Sequence, residues 1–237
     1  MKKLLLRFVV LVSLTFNVPV LFAEDSPGQA DPWQGFNRSI FVFNDTLDRH
    51  FLKPVTLGYK AVTPDLAERA VTNFFANLSD IGTLINNLLQ GKPEAAGLDL
   101  ARISFNTTFG LAGLIDVSTA MGIEKHHEDF GQTLGYWGVS GGPYLVLPFL
   151  GASTLRDTAG FIVDGTIAPV RLSDFSDEDT TRYTLSALSI LDTRARLLDA
   201  ETLISGDRYS FIRDAYLQRR EYSVKDGLIE DYDDDNF

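Results

Sequence analysis

Apolar residues return along this chain at helical spacing, in series separated by prolines, glycines and capping residues. Asp31-Pro32 offers a cap and a first-turn proline, and Phe36, Ile40, Phe43, Leu47 and Phe51 follow at intervals of three or four. At 100° per residue these five share a stripe about 80° wide, which predicts a helix over Gln34 to Leu52 with one strong apolar face. Such a face suits a core helix touching two neighbours. It suits equally a helix lying in a membrane interface, with Arg38, Arg49 and Lys53 reaching headgroups. A second helix starts at Thr63-Pro64 and carries Val71, Phe75, Leu78, Gly82, Ile85 and Leu89; Ser79 or Asp80 could cap a new helix and break it there. Gly91 is the expected stop and Pro93 the next start, for a third helix to Phe109 that presents Leu98, Ile103 and Phe105 beside the polar Arg102 and Asn106. Gly110, Gly113 and Gly122 cut the following residues into short pieces.

Beyond these, helices are expected over Ser153 to Asp164, over Glu178 to Ile204 and over Asp207 to Tyr222. The last carries Tyr209, Ile212 and Tyr216 on one side and Arg213, Arg219 and Arg220 among its cations. No strand series with alternating pattern and no internal repeat is apparent. The expected fold is mainly α, in one domain. One stretch resists the helical pattern: Phe130 to Gly151 holds six glycines among Phe130, Leu134, Tyr136, Trp137, Tyr144 and other apolar residues, while Pro143 and Pro148 interrupt it. It reads as too glycine-rich for a helix and too apolar for an ordinary surface loop, hence either a buried connection or a loop that lines a cavity or faces lipid.

Composition narrows the setting. A 237-residue chain with 45% hydrophobic content can build a packed core. Residues 1–23 read as a secretory signal, with Lys2, Lys3 and Arg7 at the basic end and Ala23 before a cut; an uncleaved N-terminal anchor is the alternative. Residues 24–30 then form a polar linker. There is no cysteine, which removes a disulfide framework, thiolate chemistry and acyl attachment through cysteine. Loss of the three basic signal residues takes the formal charge from -11 to -14, so a nucleic-acid partner is not expected. Part of that charge lies in an acidic tail, residues 223–237, expected to be solvated and frayed.

Candidate chemistry is sparse. Gly138-Val139-Ser140-Gly141-Gly142 fits the pattern of a hydrolase elbow, yet Pro143 follows where a helix should begin and all three histidines, His50, His126 and His127, lie upstream. His126-His127-Glu128-Asp129 is the one cluster with metal-ligand chemistry, but adjacent histidines point apart in helix or strand. Neither an enzyme nor a metal or cofactor site is expected.

Several runs, taken in order, resemble the MlaA/VacJ family of outer-membrane proteins of lipid asymmetry maintenance. They are Asp31-Pro32 with Gly35-Phe36-Asn37-Arg38, Asn86 to Gly91, Arg102 with Asn106-Thr107 and Gly110, Phe130 to Gly135, Gly142-Pro143-Tyr144, Leu147-Pro148, Arg156-Asp157, and Arg213 to Arg219. The resemblance spans about Asp31 to Tyr222, the expected helical domain. It implies a ring of amphipathic helices in the periplasmic leaflet of the outer membrane, associated with a trimeric porin. A central channel would take phospholipids misplaced in the outer leaflet and pass them to a soluble, MlaC-like periplasmic carrier. On this reading Phe130, Leu134, Gly135, Tyr136, Trp137, Gly138 and Tyr144 form the channel wall or a gating loop, with the glycines letting it change shape. Arg38, Arg156 and Arg213 either meet lipid phosphate or pair with internal carboxylates, and Phe36, Ile40, Phe43, Leu47 and Phe51 face the membrane. The departure from the family is the missing lipoprotein cysteine.

Overall fold

A computed structural model of the chain describes residues 31–167 and 179–228. The expected signal and linker, Ala168-Pro169, the acidic stretch before Asp179 and the tail from residue 229 lie outside the described residues. Helix α1 (Gln34–Leu47) passes through a π-helical turn (Asp48–Leu52) directly into α2 (Lys53–Val62). Thr63 is extended, with ψ 120°, as a residue before proline must be, and α3 (Asp65–Leu89) begins immediately after Pro64. The expected break at Ser79-Asp80 is absent. Asp80 is buried and paired with Lys125 and Arg102, and the Ser79 hydroxyl donates back to the Ala76 carbonyl at 2.8 Å, so neither side chain is free to cap.

Gly91 closes α3 as expected. At φ 72° it puts its N–H on the Leu88 carbonyl and that of Lys92 on Asn87, the paired bonds of a left-handed helix stop. Helix α4 (Pro93–Thr108) and the one-turn α5 (Val117–Ala120), capped by Asp116, follow.

Two expectations for the glycine-rich stretch are overturned. Phe130–Tyr136 is helical (α6), because the Asp129 carboxylate caps it by accepting from the Gln132 N–H at 2.9 Å and because Gly131 is buried against a neighbouring helix, where its bareness is an asset. Tyr144–Leu147 (β1) and Gly151–Thr154 (β2) are strands, paired antiparallel with Tyr144 opposite Thr154 and Leu147 opposite Gly151. The prolines do not prevent this, since Pro143 precedes β1 and Pro148 sits in the turn, where no ladder N–H is lost.

Thr154 then caps α7 (Leu155–Ile167) by accepting from the Asp157 N–H at 3.1 Å. The expected helix over Glu178 to Ile204 is shorter: α8 (Asp179–Leu197) is followed by a separate 3-10 turn (Ala200–Leu203). The last helix, α9 (Arg208–Val224), starts from the Asp207 cap and runs two residues beyond its expected end.

The elements pack in a closed circuit. Helix α1 lies on β1, β1 pairs with β2, β2 meets α7, α7 meets α6, α6 meets α3, α3 meets α8, and α8 returns to α2, which continues α1. Helix α9 braces α6 and β2, and α4 packs along α3. Within this circuit the usual distribution of side chains is reversed. Among the described residues only five hydrophobic ones are buried (Ala96, Tyr144, Val146, Ala195, Tyr209), against eighteen polar or charged ones, whereas Phe36, Phe51, Phe109, Phe149 and Ile162 are more than half exposed. Helices α1 and α4 show it most clearly, with large apolar residues exposed and polar residues turned toward their neighbours, whereas α9 keeps Tyr209 and Tyr216 inside.

Candidate functional site

Helix α1 shows how the reversal is built. Phe36, Phe43, Leu47 and Phe51 lie on its outer face; Ile40 alone of the stripe turns partly inward, against the Tyr144–Val146–Tyr209 cluster. On the flank directly beside that stripe, seven residues apart, Asn37 and Asn44 treat the free edge of β1 as a partner strand would. Asn37 donates to the Tyr144 carbonyl and accepts from the Val146 N–H, both at 2.9 Å. Asn44 donates to the Leu147 carbonyl and accepts from the Phe149 N–H, also at 2.9 Å. A buried amide can satisfy backbone donors and acceptors together, so these two side chains seal an edge that would otherwise be open. Beside them Phe43 meets Phe149 of the hairpin tip edge to face, centroids 5.4 Å apart, and extends the outer apolar band.

Three polar hubs hold the interior. Between α3, α4 and α5, Arg102 pairs with Asp116 at 3.0 Å and with Asp80 at 3.6 Å, and Asn106 and Thr119 complete the set. Burial opposes ionisation of Asp116, but bonds from Thr119, Arg102 and Asn106 outweigh it and hold its pKa down to about 2. Between α6, α7 and α9, Arg220 bridges Asp129 and Asp157, and the Tyr216 hydroxyl donates to Asp157 at 2.8 Å. Burial works against both carboxylates, and Arg220 still keeps them below the usual range. At the π turn, Arg194 grips Asp48 through two bonds of 2.6 and 2.8 Å and reaches Glu201. A bridge of Asn86, Gln90 and Thr133 joins α3 to α6; Thr133 donates to Asn86 at 2.8 Å and accepts from Gln90 at 3.1 Å. Glu128 and Asp164 border it, each with a pKa raised first by burial.

The expected wall residues divide between surface and core. Tyr136 and Trp137 are half exposed at the end of α6, and the Trp137 indole N–H donates to the Leu89 carbonyl at 3.2 Å, which fixes the ring against the end of α3. Phe130 meets Trp137 edge to face at 6.0 Å, and Leu134 is half-buried. Tyr144 departs from the expectation: it is buried in the tyrosine cluster, 6.3 Å from both Tyr209 and Tyr216, and presents no surface to a ligand. The two glycines are not parts of a shapeless loop. A Cβ on Gly135 would meet Arg156 and Val224 at 2.8 Å, so this glycine allows a close helix approach. Gly138, at φ 87°, is the left-handed stop of α6, its N–H on the Gly135 carbonyl and that of Val139 on Leu134.

All three candidate arginines are engaged by carboxylates. Arg38 pairs with Asp207 at 2.7 Å and lies 4.4 Å over the Tyr209 ring. Arg156 pairs with its neighbour Asp157 at 3.0 Å, and Arg213 holds Asp214 at 2.8 Å and Asp31 at 3.6 Å. Ser140 follows a helix and precedes a strand, the reverse of a nucleophile elbow, and its hydroxyl accepts from the Gly142 N–H at 3.3 Å. His126 is bound to Asp99 at 2.8 Å while His127 faces a different way, and no group of metal-ligating side chains is assembled among the described residues.

Sequence reasoning gave the asparagines no structural role. Asn37 and Asn44 at a heptad interval, and Asn86, Asn87 and Gln90 on one turn, are the signal: amide side chains in register along the flank of an apolar stripe.

Comparison with known proteins agrees with this architecture. A family model described as "MlaA lipoprotein" matches residues 29–223. The chain is 34% identical over 218 residues to the "Intermembrane phospholipid transport system lipoprotein MlaA" of Escherichia coli (strain K12), covering 90% of this chain and 85% of that protein. It is 32% identical over 205 residues to the protein of the same name from Haemophilus influenzae, covering 84% and 81%. A solved structure from work on the "Structural basis for maintenance of bacterial outer membrane lipid asymmetry" superposes with a TM-score of 0.71 at 34% identity, over 82% of this chain and 98% of that one. With a family match across nearly all the described residues and the same mainly helical, single-domain fold, this chain belongs to the MlaA lipoprotein family.

Proposed function

We propose that this chain is a phospholipid conduit of the outer membrane, which removes misplaced phospholipid from the outer leaflet and hands it to a soluble periplasmic carrier. The observation that carries the reading is the reversed distribution of side chains. Phe36, Phe43, Phe51 and Phe149 face outward while Asn37, Asn86, Arg102 and Asp157 are buried. In water that outer band would be unfavourable; against acyl chains it is stabilised by about 25 cal/mol per Å² of apolar surface. Among the described residues no helix is long and apolar enough to cross a membrane, so a bilayer would meet these helices side-on, as amphipathic helices in one leaflet. Their backbone groups are bonded within helices, as lipid requires.

The closed circuit of elements supports a ring, with Leu134, Tyr136 and Trp137 as its acyl-chain contacts. The names of the relatives from E. coli and H. influenzae point to the same substrate class. A trimeric porin and a soluble carrier complete the reading as partners, and the protein acts without catalysis. Retention in the membrane would rest on the apolar band and the porin.

The test is lipid extraction and mass spectrometry on protein purified from outer membranes in mild detergent. Stoichiometric phospholipid is expected, and Leu134→Asp with Trp137→Asp should remove it from a protein that is still helical. A lipid-free wild type that leaves the membrane in a salt wash would end the conduit reading and favour a porin-bound scaffold.

A further inference from the structure

Helix α3, the His126-to-Asp129 connection, the start of α6 and helix α9 enclose a polar cleft of ≈ 330 Å³. Helix α9 lines it with Tyr216, Arg219, Arg220 and Ser223, whose spacing of three, one and three places them on one face. Tyr216 and Arg220 are committed to Asp157 and Asp129, as described above. The other two are not: the Arg219 guanidinium and the Ser223 hydroxyl make no hydrogen bond or ion pair among the described residues.

The His127 ring across the cleft is in the same condition. Its carbonyl accepts from Gln132 at 3.0 Å, but the imidazole has no partner among the described residues, in contrast to that of His126. Burial, and then the positive charges of Lys125 and Arg219, push its pKa down, so near pH 7 it presents one N–H and no charge.

The carboxylates of the cleft do not cancel Arg219. Asp129 is taken by Arg220 through bonds of 2.6 and 2.5 Å, and Glu128 by Gln90 at 2.8 Å and Lys92 at 3.4 Å. Apart from Arg69, on α3 and outside the cleft, the other described arginines have carboxylate partners. Among the described residues Arg219 is thus the cation without a carboxylate partner at this concave polar surface, with two further donors at hand.

We propose that this cleft binds a phosphate ester: the Arg219 fork takes two phosphate oxygens, and the Ser223 hydroxyl and a His127 N–H donate to the others. Arginine suits this because its planar guanidinium matches the spacing of phosphate oxygens. Identification of the phosphate as that of a lipid headgroup rests on the conduit reading; the other source of the same chemistry is free phosphate.

The experiment uses the full chain in mild detergent, titrated by calorimetry with dihexanoyl phosphatidylglycerol below its micelle concentration and, separately, with inorganic phosphate. Wild type, Arg219→Gln, Arg219→Lys and Arg69→Gln are compared, with circular dichroism confirming that each is folded. Binding should weaken at least tenfold in R219Q, partly recover in R219K, stay unchanged in R69Q and fall with added salt. Equal binding by R219Q and R69Q, or no binding of either probe by the wild type, would overturn the site. Binding of inorganic phosphate without the lipid would overturn the headgroup assignment. Because the phosphate arm needs no lipid, failure here and failure of the conduit reading are separable: wild type that co-isolates with phospholipid but fails the titration loses this site alone.

Discussion

Gly160 of α7 and Gly131 of α6 meet backbone against backbone: a Cβ on Gly160 would lie 2.6 Å from the Gly131 Cα and closer still to its nitrogen. A Cβ on Gly131 would in turn press on Arg220 and, at 2.7 Å, on an Asp157 oxygen. The crossing thus brings the three charged residues of that hub together. Gly160→Val should cost about 3 kcal/mol, at the upper end for overpacking, because the obstacle is backbone that cannot rotate aside. Thermal unfolding in detergent reads it; a melting temperature within a degree or two of wild type would refute the close packing.

The two asparagines of α1 should behave as a pair. Asn37→Ala removes a donor and an acceptor from a fully buried strand edge, which leaves the Tyr144 carbonyl and the Val146 N–H unpaired. A loss of about 2–3 kcal/mol is expected, since an orphaned buried polar group costs its desolvation. Ser39→Ala, on the exposed side of the same helix, should change stability by less than about 0.5 kcal/mol. Comparable losses at both positions would contradict the edge-sealing role.

The outer stripe predicts the opposite phenotype. Replacing Phe36 and Phe51 by Ser should leave the melting temperature in detergent nearly unchanged, as neither ring is in the core. Association with vesicles should weaken by about 1.5–3 kcal/mol for each ring that lipid would have covered. Vesicle flotation measures this. Undiminished flotation with a destabilised fold would mean that the stripe packs against protein.

Acid stability should carry the signature of Asp116. Its folded pKa of about 2 lies below the ordinary value of 3.8, so its contribution is fully present above pH 3.8 and lost as pH falls through about 2. The shift corresponds to about 2 kcal/mol. Asp116→Asn should lower stability at neutral pH by a comparable amount, and the gap from wild type should close between pH 4 and pH 2 in acid titrations followed by circular dichroism. A gap that stays constant over this window would remove the ion pair with Arg102 as its cause. Asp80, Glu128 and Asp164 act with the other sign. Their pKa values are raised, chiefly by burial, so the stability tied to their protonated forms is present at low pH and is lost as pH rises through the folded values.

Periodicity, caps and stops in the sequence are enough to place most of the helices. Pro64, Gly91, Pro93 and Asp207 mark real boundaries because their effects are local: a fixed φ, a left-handed φ or a carboxylate one turn from free N–H groups. The same locality explains the failures. Near Phe130 only the Asp129 cap announces a helix, since Gly131 becomes tolerable only when Gly160 arrives from about thirty residues away, and β1 persists as a strand because α1 supplies Asn37 and Asn44 along its edge. Arg156 and Arg213 could not be assigned to phosphate or carboxylate without knowing that Asp157, Asp214 and Asp31 lie within reach. The hydrophobic series determined that Phe36, Phe43, Leu47 and Phe51 share a face. Only the tertiary structure decided that this face looks outward, because an amphipathic helix specifies the angle between its two surfaces and not which of them its neighbours will cover. The neighbours of α1 offer carbonyls, N–H groups and a tyrosine cluster to its inner face, so the polar side docks inward and the aromatic side is left for whatever medium surrounds the molecule.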